Sequence, residues 1–249
     1  MLKLKKILIV PCFNEANRIA PYEYWKELDD SSISLVFVND ASTDSTLSII
    51  DSFDLANKKI ISLEMNVGKA NAIREGFLSI DIVNYAESHN IIVGFVDSDR
   101  AFSTKDIKRM FDLEEIQNYD AIFASRVMLY GRSINRSRMR HVLGRGIMAF
   151  LSSSGFSLPY DSQAGLKIFK YSSQLMEALE ENFDTRWFFE LELLLRYKSL
   201  FGQNLRIWEE PLLYWKETRG SKLLTFSSFT IIQQIFSLFL KFAREARKP

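Results

Sequence analysis

The sequence has few of the residues that build disulfide frameworks and transition-metal centres. Its 249 residues include one cysteine, Cys12, and two histidines, His89 and His141, which lie far apart in the chain. A single cysteine excludes an intramolecular disulfide and a cysteine-based zinc site. Two distant histidines argue against a histidine-rich metal centre and against a hydrolase triad that depends on histidine.

Two glycine-rich nucleotide-binding motifs are also absent. No G-x-G-x-x-G follows the first predicted strand, which argues against a dinucleotide-binding Rossmann enzyme. No G-x-x-x-x-G-K-[ST] segment occurs either, because Gly68 and Lys69 lack the preceding glycine and the following hydroxyl residue.

Charge is almost balanced over the whole chain. There are 32 Lys and Arg residues against 31 Asp and Glu residues, so no overall attraction to nucleic acid is expected. Residues 121–160, however, contain six arginines and no acid. Arginine makes bidentate contacts with phosphate, so this segment favours phosphate binding, with an ordinary solvated face as the alternative.

No secretory signal is recognised at the start of the chain. The apolar run at 7–10 is shorter than a signal-peptide core, and a charge follows soon after it. Together with the scarcity of cysteine, this predicts a cytoplasmic protein.

Strand-length apolar runs alternate with helical patterns in the first half of the chain. Strands are predicted at 5–10, 34–39, 60–63, 91–96 and 120–124. This alternation predicts an α/β fold with a mostly parallel, doubly wound central sheet flanked by helices. We expect one α/β domain over residues 1–220 and a basic, amphipathic helical extension over 221–249.

The extension has an unusual distribution of charge. Residues 223–240 carry no charge, and their number reaches the lower limit for a membrane-spanning helix. Polar residues recur there every three or four positions, which indicates an amphipathic helix instead. Its predicted apolar stripe is Phe229, Ile232, Ile235, Phe236, Phe239 and Phe242. We expect peripheral contact with a membrane surface, the alternative being a helix docked on its own domain.

Two carboxylates directly follow the strand predicted at 91–96. Asp97 and Asp99 lie two residues apart, and ligands of open α/β sheets bind at the carboxyl ends of the strands. Both side chains can reach one hard cation, and Mg²⁺ or Mn²⁺ prefers oxygen ligands of this kind. A solvated strand end or a helix cap is the alternative, because a lone D-x-D is common by chance.

Polar segments also follow the first three predicted strands. They are PCFNE at 11–15, VNDASTD at 38–44 and NVGKANAIREG at 66–76. Because the carboxyl ends of parallel strands meet at one edge of the sheet, these segments should converge on the crevice beside Asp97 and Asp99.

In this order the segments resemble the motifs of the family 2 glycosyltransferases, which have the GT-A fold. PCFNE is similar to P-x-[YF]-N-E, VNDASTDST to V-D-D-G-S-T-D-G-T, NVGKANAIREG to N-x-G-K-G-x-A-x-R-x-G, and FVDSDRAFS to F-x-D-A-D-x-x-x-x. DSQAGLKIF at 161–169 is similar to D-T-Q-C-G-F-K-x-F, and RWFFELEL at 186–193 to R-W-x-F-D-V-E-L. The last two are typical of the polyprenyl-phosphate branch, the dolichyl-phosphate glucosyl- and mannosyltransferases. The resemblance covers about residues 5–245.

The chain departs from these motifs at several positions. Asn39 and Ala41 replace an acid and a glycine, Ala70 replaces a glycine, Ala164 a cysteine and Glu190 an aspartate. None of these changes removes the two carboxylates of the D-x-D segment. They leave the donor sugar and its nucleotide open.

For the donor nucleotide, the resemblance implies a pocket at the ends of the first strands. Asp40 would bind the nucleobase, and Pro11, Phe13 and Glu15 would line the nucleoside pocket. Lys69 would lie near the nucleotide, although a single lysine here is also compatible with an exposed helix start. Ordinary packing is the alternative for Phe13.

The resemblance also implies a divalent cation, Mg²⁺ or Mn²⁺. Asp97 would face the ribose and the metal, and Asp99 would bind the metal directly as the central catalytic carboxylate. Gln163 would add a ligand from the acceptor side, with a structural loop amide as the alternative.

For the acceptor, the resemblance implies an arginine-lined phosphate site. Arg126 and Arg140 would hold the acceptor phosphate beside the donor. Further acceptor-binding candidates are Arg138, Trp187 and Glu190. Since Glu190 and Glu192 are two residues apart, they do not share a helix face, and one can face the site while the other caps or pairs.

The implied reaction is an inverting, metal-dependent transfer of a hexose from a nucleotide sugar to a polyprenyl phosphate. UDP-glucose is the first expected donor and GDP-mannose the second. A phosphate monoester is already anionic near neutral pH, since its second pKa is about 6, so no general base is required. A glycan hydroxyl as acceptor would need one, with Glu190 or Glu192 as candidates. A non-catalytic GT-A domain that binds nucleotide or lipid is the remaining alternative.

Overall fold

The computed structural model describes residues 4–80, 91–185, 188–217 and 228–245. The strands are β1 (Lys5–Cys12), β2 (Ile33–Asn39), β3 (Lys58–Ser62), β4 (Ile91–Val96), β5 (Ala121–Ser125), β6 (Ser133–Asn135), β7 (Leu166–Lys170), β8 (Ile207–Pro211) and β9 (Tyr214–Lys216). The helices are α1 (Ala16–Ile19), α2 (Tyr22–Asp29), α3 (Thr46–Asp51), α4 (Gly68–Leu78), α5 (Thr104–Phe111), α6 (Arg138–Ser152), α7 (Ser173–Ala178), α8 (Phe189–Phe201) and α9 (Ser228–Glu245). Short 3-10 helices cover Glu114–Gln117 and Gly202–Asn204.

Among the described residues, seven strands form the central sheet in the order β3-β2-β1-β4-β7-β5-β8. Its pairs are parallel except at β7, which runs antiparallel to both β4 and β5. Strands β6 and β9 pair in a separate two-stranded sheet. The predicted α/β fold with a mostly parallel sheet is thereby confirmed.

Helices cover both faces of the sheet, and the strand sequences show it. In β1, Leu8 and Val10 pack into one hydrophobic cluster, while Ile7 and Ile9 pack into a second cluster. This division follows from the two-residue period of a strand, which sends successive side chains to opposite faces. A sheet buried on both sides therefore requires the continuous apolar runs that the sequence shows.

Helices α5 and α7 begin at serine N-caps. Ser103 Oγ accepts a hydrogen bond from Asp106 N at 3.1 Å, and Ser172 Oγ accepts one from Leu175 N at 3.1 Å. Each bond satisfies a backbone donor that has no partner within the first helical turn. These caps fix where the two helices start against the sheet.

The C-terminal helix α9 packs on α6 and α8 in a third hydrophobic cluster. Leu238 and Phe242 are fully buried in it, and the Phe242 ring lies 4.5 Å from that of Phe156 between centroids. Ile232 and Phe236, which belong to the predicted apolar stripe, are exposed instead. Residues 221–227 and 246–249 of the predicted extension, and the side chain of Phe229, lie outside the described residues. Within the described part, no helix has the length and hydropathy needed to cross a bilayer.

Candidate active site

The loops that leave β1, β2, β3 and β4 meet at the carboxyl edge of the sheet. Each contains a residue with positive φ: Asn14 at 53°, Ala41 at 53°, Gly68 at 83° and Arg100 at 59°. For residues other than glycine this conformation is strained, and such strain concentrates at ligand-binding sites. Asn14 Oδ1 helps to hold its loop by accepting a hydrogen bond from Thr43 N at 2.8 Å.

The end of β1 supplies one wall of this edge. Pro11 is buried in the strand, Phe13 is half-buried beyond it, and Glu15 is buried. Glu15 N donates to Thr46 Oγ1 at 2.7 Å, and the Glu15 carboxylate forms an ion pair with Arg18. The three predicted nucleoside-pocket residues thus lie at the end of β1 and just beyond it, and their contact with a nucleoside stays a prediction.

Asp40 at the end of β2 is buried and anchors the next loop. Its Oδ1 accepts from Val67 N at 2.7 Å, and its Oδ2 accepts from Gly68 N at 2.9 Å and from Asn66 Nδ2 at 3.0 Å. These bonds fix the start of α4 and therefore the position of Lys69. The predicted contact of Asp40 with a nucleobase remains a prediction.

Lys69 brings two predicted site carboxylates together. Its Nζ lies 2.6 Å from Asp97 Oδ1 and 3.5 Å from Glu190 Oε1. Burial alone would lower the pKa of Lys69, but Asp97 and Glu190, with a smaller contribution from Asp99, raise it above its usual value. The ammonium therefore stays charged between β4 and α8.

The carboxylate of Asp97 lies against the backbone of the loop that carries Gln163. A Cβ atom at Gly165 would be 2.0 Å from Asp97 Oδ2, so only glycine leaves room for the carboxylate. Gln163 Nε2 is buried and has no hydrogen-bond acceptor among the described residues. Asp99 Oδ1 accepts from Ala101 N at 3.0 Å, which turns the chain directly after β4.

These residues fit a hard divalent cation. Within the described residues, no group of three or more His, Cys, Asp or Glu side chains could hold a metal by itself. Asp97 and Asp99 with the amide of Gln163 offer only oxygen ligands, and Mg²⁺ or Mn²⁺ sites of this kind take further ligands from substrate phosphates. A small protein donor set of oxygen atoms agrees with that chemistry.

Arg126, at the end of β5, is held by Asp161, a residue the sequence interpretation did not assign. Arg126 Nε and Nη2 each donate to the carboxylate at 2.7 Å, and Arg126 N donates to it at 2.9 Å. Burial would raise the pKa of Asp161, but the hydrogen bonds and charge of Arg126 lower it to about 2. The face of the Arg126 guanidinium lies 5.2 Å from the Trp215 ring centroid. The predicted acceptor arginine is thus rigidly oriented.

Two further residues that were not predicted hold the Asp161–Gly165 loop. Glu209 on β8 accepts hydrogen bonds from Tyr160 N at 2.7 Å and from Asp161 N at 2.9 Å. Lys167 is fully buried, and its Nζ donates to Ala164 O at 2.6 Å. Burial lowers the pKa of Lys167 to about 8, although Glu190 partly offsets this effect. The lysine of the DSQAGLK motif was the only sequence signal for this support.

Glu190 and Glu192 at the start of α8 have different surroundings. Glu192 accepts hydrogen bonds from Thr185 N at 2.9 Å and from Arg196 Nη2 at 2.8 Å, so it is structural. Glu190 faces Lys69, and its Oε2 is buried without a hydrogen-bond donor in the described part of the chain. Glu190 therefore contacts Lys69, whereas Glu192 caps the chain before α8 and pairs with Arg196; that Glu190 acts in the site stays a prediction.

Three of the predicted acceptor residues cannot be placed in this site. Trp187 and the side chains of Arg138 and Arg140 lie outside the part of the chain that the structure describes. The backbone of both arginines forms the first turn of α6. Their contacts with an acceptor stay predictions.

The fold and motifs can be compared with known proteins. The chain is similar to the dolichyl-phosphate β-glucosyltransferase of Dictyostelium discoideum, with 28% identity over 248 residues, 89% of this chain and 69% of that protein. It is similar to the Saccharomyces cerevisiae dolichyl-phosphate β-glucosyltransferase, with 25% identity over 240 residues, 87% of this chain and 68% of that one.

The fold matches solved structures of low sequence identity. A mannosyltransferase from Pyrobaculum calidifontis, in complex with GDP-Man and Mn²⁺, superposes with a TM-score of 0.61 and 18% identity, covering 100% of this chain and 66% of that one. Residues 7–183 match the family described as Glycosyl transferase family 2. Because this match spans more than half of the chain, the protein belongs to the family 2 glycosyltransferases.

Proposed function

We propose that the protein transfers a hexose, with inversion, from a nucleotide sugar to a polyprenyl phosphate. The main support is that two carboxylates suited to a cation, Asp97 and Asp99, lie at the same edge of the sheet as a closely held arginine, Arg126. The names of the two curated relatives support a lipid phosphate acceptor and glucose as the sugar. UDP-glucose is therefore the first proposed donor and GDP-mannose the second.

The donor side has to stabilise a leaving nucleoside diphosphate. Asp97, Asp99 and Gln163 would hold Mg²⁺ or Mn²⁺, which offsets negative charge on the diphosphate. Lys69, charged and 2.6 Å from Asp97, supplies a second positive charge at the same place. Asp40 determines the position of Lys69, because it accepts hydrogen bonds from the backbone of the two residues that precede the lysine.

The acceptor side has to orient an anion. A phosphate monoester with a second pKa of about 6 is a nucleophile without the help of a general base. The task of the protein is then to position it, and positioning alone lowers a reaction barrier strongly. Arg126 is suited to this because Asp161 fixes two of its nitrogens.

A hydroxyl acceptor is a second candidate, favoured by one observation. Glu190 is buried, and its Oε2 makes no hydrogen bond with the described residues. A carboxylate of this kind could accept a proton from a sugar hydroxyl. Lys69 Nζ lies 3.5 Å from Glu190 Oε1, so the other carboxylate oxygen is the one left for such a contact.

The lipid acceptor would be met at a membrane surface, on the cytoplasmic face. Exposed apolar side chains occur on α6, on α9 and in the loop after β5: Met128, Leu129, Tyr130, Met139, Val142, Leu143, Phe150, Ile232, Phe236 and Leu240. The arginine-rich segment 121–160 overlaps this set, and its charge favours anionic head groups. Attachment would be peripheral.

Transfer is tested with labelled UDP-glucose, a short polyprenyl phosphate and Mn²⁺ or Mg²⁺, by counting label that enters the organic phase. The wild type should transfer, EDTA should stop it, and Asp99→Asn should lower the rate by more than about 100-fold. Asp112→Asn, an exposed acid far from the site, is the matched control. No lipid product with UDP-glucose or GDP-mannose, but transfer to a soluble sugar that is lost in Glu190→Gln, would favour the hydroxyl acceptor.

Membrane contact is tested by sedimentation with vesicles of anionic phospholipid. The double variant Ile232→Ser/Phe236→Ser should bind them more weakly than the wild type, because both side chains are exposed on α9. Leu47→Ser, an exposed leucine on α3, should bind like the wild type. Equal sedimentation of all three proteins would refute the role of α9.

A further inference from the structure

Two arginines share the carboxylate of Asp161. Arg126 makes the close bidentate pair, while Arg136 Nη1 lies 4.0 Å from Asp161 Oδ2, beyond hydrogen-bonding distance. Both arginine side chains are largely buried, with 11% and 14% of their surfaces exposed. One negative charge is therefore placed between two buried positive charges.

The charge of Arg136 is not matched by this arrangement. Arg126 and Asp161 form a neutral pair by themselves. Burial and the nearby charge of Arg126 lower the pKa of Arg136, and the attraction of Asp161 and Glu217 is too weak to reverse the effect. Among the described residues, the surroundings of Arg136 are thus short of negative charge.

The helix beside Arg136 has a glycine where the guanidinium comes close. A Cβ atom at Gly144, in the middle of α6, would lie 3.3 Å from Arg136 Nη2. Glycine inside a helix is less stable than alanine, so its presence needs a local reason. Room for the guanidinium provides one.

We propose that Arg136 supplies the net positive charge that binds the phosphate group of an isoprenyl phosphate beside Arg126. Asp161 fixes the orientation of the Arg126 guanidinium and neutralises its charge. Arg126 can then still donate hydrogen bonds to a phosphate and orient it. Arg136 contributes the uncompensated charge, and a phosphate would complete the arrangement with the anion that it lacks. The identity of the acceptor rests on the proposed function, whereas the anion site rests on these contacts.

Binding of farnesyl phosphate is compared with binding of farnesol by isothermal titration calorimetry, with the full chain. The wild type should prefer the phosphate. Arg136→Gln should weaken farnesyl phosphate binding by roughly 10–100-fold, leave farnesol binding unchanged and remove most of the preference. Arg132→Gln, which changes another arginine of the same segment, should behave like the wild type, and Arg136→Lys should keep part of the preference.

Thermal unfolding separates this role from a structural one. Removing an unmatched buried charge should leave the Tm of Arg136→Gln unchanged or raise it. A lower Tm with an unchanged preference for the phosphate would show that Arg136 only supports the fold, and would overturn the proposal. If Arg136→Gln does not fold, Arg136→Met takes its place, because it also removes the charge, and a preference equal to that of the wild type would also overturn the proposal.

The two proposals fail separately. Strong dependence of phosphate binding on Arg136, with no sugar transfer to any isoprenyl phosphate, would support the anion site and refute the proposed reaction. Sugar transfer with the same KM for the lipid phosphate in Arg136→Gln and wild type would support the reaction and refute the role of Arg136.

Discussion

Replacing Asp161 by asparagine tests the best-defined ion pair of the candidate site. Asp161 receives three hydrogen bonds from Arg126, and its side chain is almost fully buried. Asparagine keeps the size of the side chain and one of its acceptors but removes the charge. The guanidinium of Arg126 would then be buried without its counter-ion.

The magnitude follows from the pKa of Asp161. A carboxyl whose pKa falls from 3.8 to about 2 on folding contributes about 2 kcal/mol of stability at neutral pH. Leaving a buried charge without its partner costs more, about 3–5 kcal/mol in comparable pairs. We therefore expect Asp161→Asn to lower the free energy of unfolding at pH 7 by about 3–5 kcal/mol.

The difference between wild type and variant should also depend on pH. Because the folded-state pKa of Asp161 is lowered, its contribution is complete above its unfolded-state pKa of 3.8 and is lost as the pH falls towards about 2. Between pH 7 and pH 3 the difference should shrink by about 1 kcal/mol.

Urea unfolding at several pH values, followed by circular dichroism, measures this difference. Asp112→Asn removes an ion pair with Lys6 in which the aspartate is mostly exposed, so it should cost less than about 1 kcal/mol at pH 7. A cost for Asp161→Asn as small as that of Asp112→Asn would refute the reasoning. So would a difference that stays constant down to pH 3.

Two further changes have sharp expected outcomes. Gly165→Ala should lower sugar transfer and Mn²⁺ affinity by more than about 10-fold, because the new Cβ would overlap the Asp97 carboxylate. Gly146→Ala is the control, because a Cβ atom there would meet open space. Equal Mn²⁺ affinities of the two variants in titrations followed by electron paramagnetic resonance would contradict the expectation. Phe242→Ala should lower the free energy of unfolding, measured in urea, by about 3–5 kcal/mol, because the side chain is fully buried. Phe236→Ala should change it little, because Phe236 is exposed. Equal effects of the two changes would mean that α9 is not docked as described.

Most of the sheet could be predicted from the sequence, because its strands are buried on both faces. The predicted strands at 5–10 and 34–39 correspond to β1 (Lys5–Cys12) and β2 (Ile33–Asn39). The antiparallel strand β7 was not predicted, although it has five residues like β3 and β5, and its partners are distant in the chain. Hydrophobic periodicity carries no information on which strands become neighbours.

The candidate site shows the same limit at the level of side chains. The motifs predicted where the carboxylates and Arg126 lie, because they mark the ends of strands. They did not predict that Asp161 would neutralise Arg126, or that Glu209 would hold the backbone of Asp161. Such partners are set by the packing of β5, β7 and β8, and no local pattern encodes them.

Helix α9 is docked on the domain and still leaves apolar side chains exposed. The periodicity indicated an amphipathic helix, to be docked either on the domain or on a membrane. Docking uses the side with Leu238 and Phe242, and it leaves Ile232 and Phe236 of the predicted stripe exposed. The apolar surface of α9 is therefore wider than its contact with α6 and α8 can cover. Because one side of α9 is packed on the domain, the direction in which its other side faces is fixed. A membrane contact through Ile232 and Phe236 would therefore have a fixed orientation relative to the carboxyl edge of the sheet.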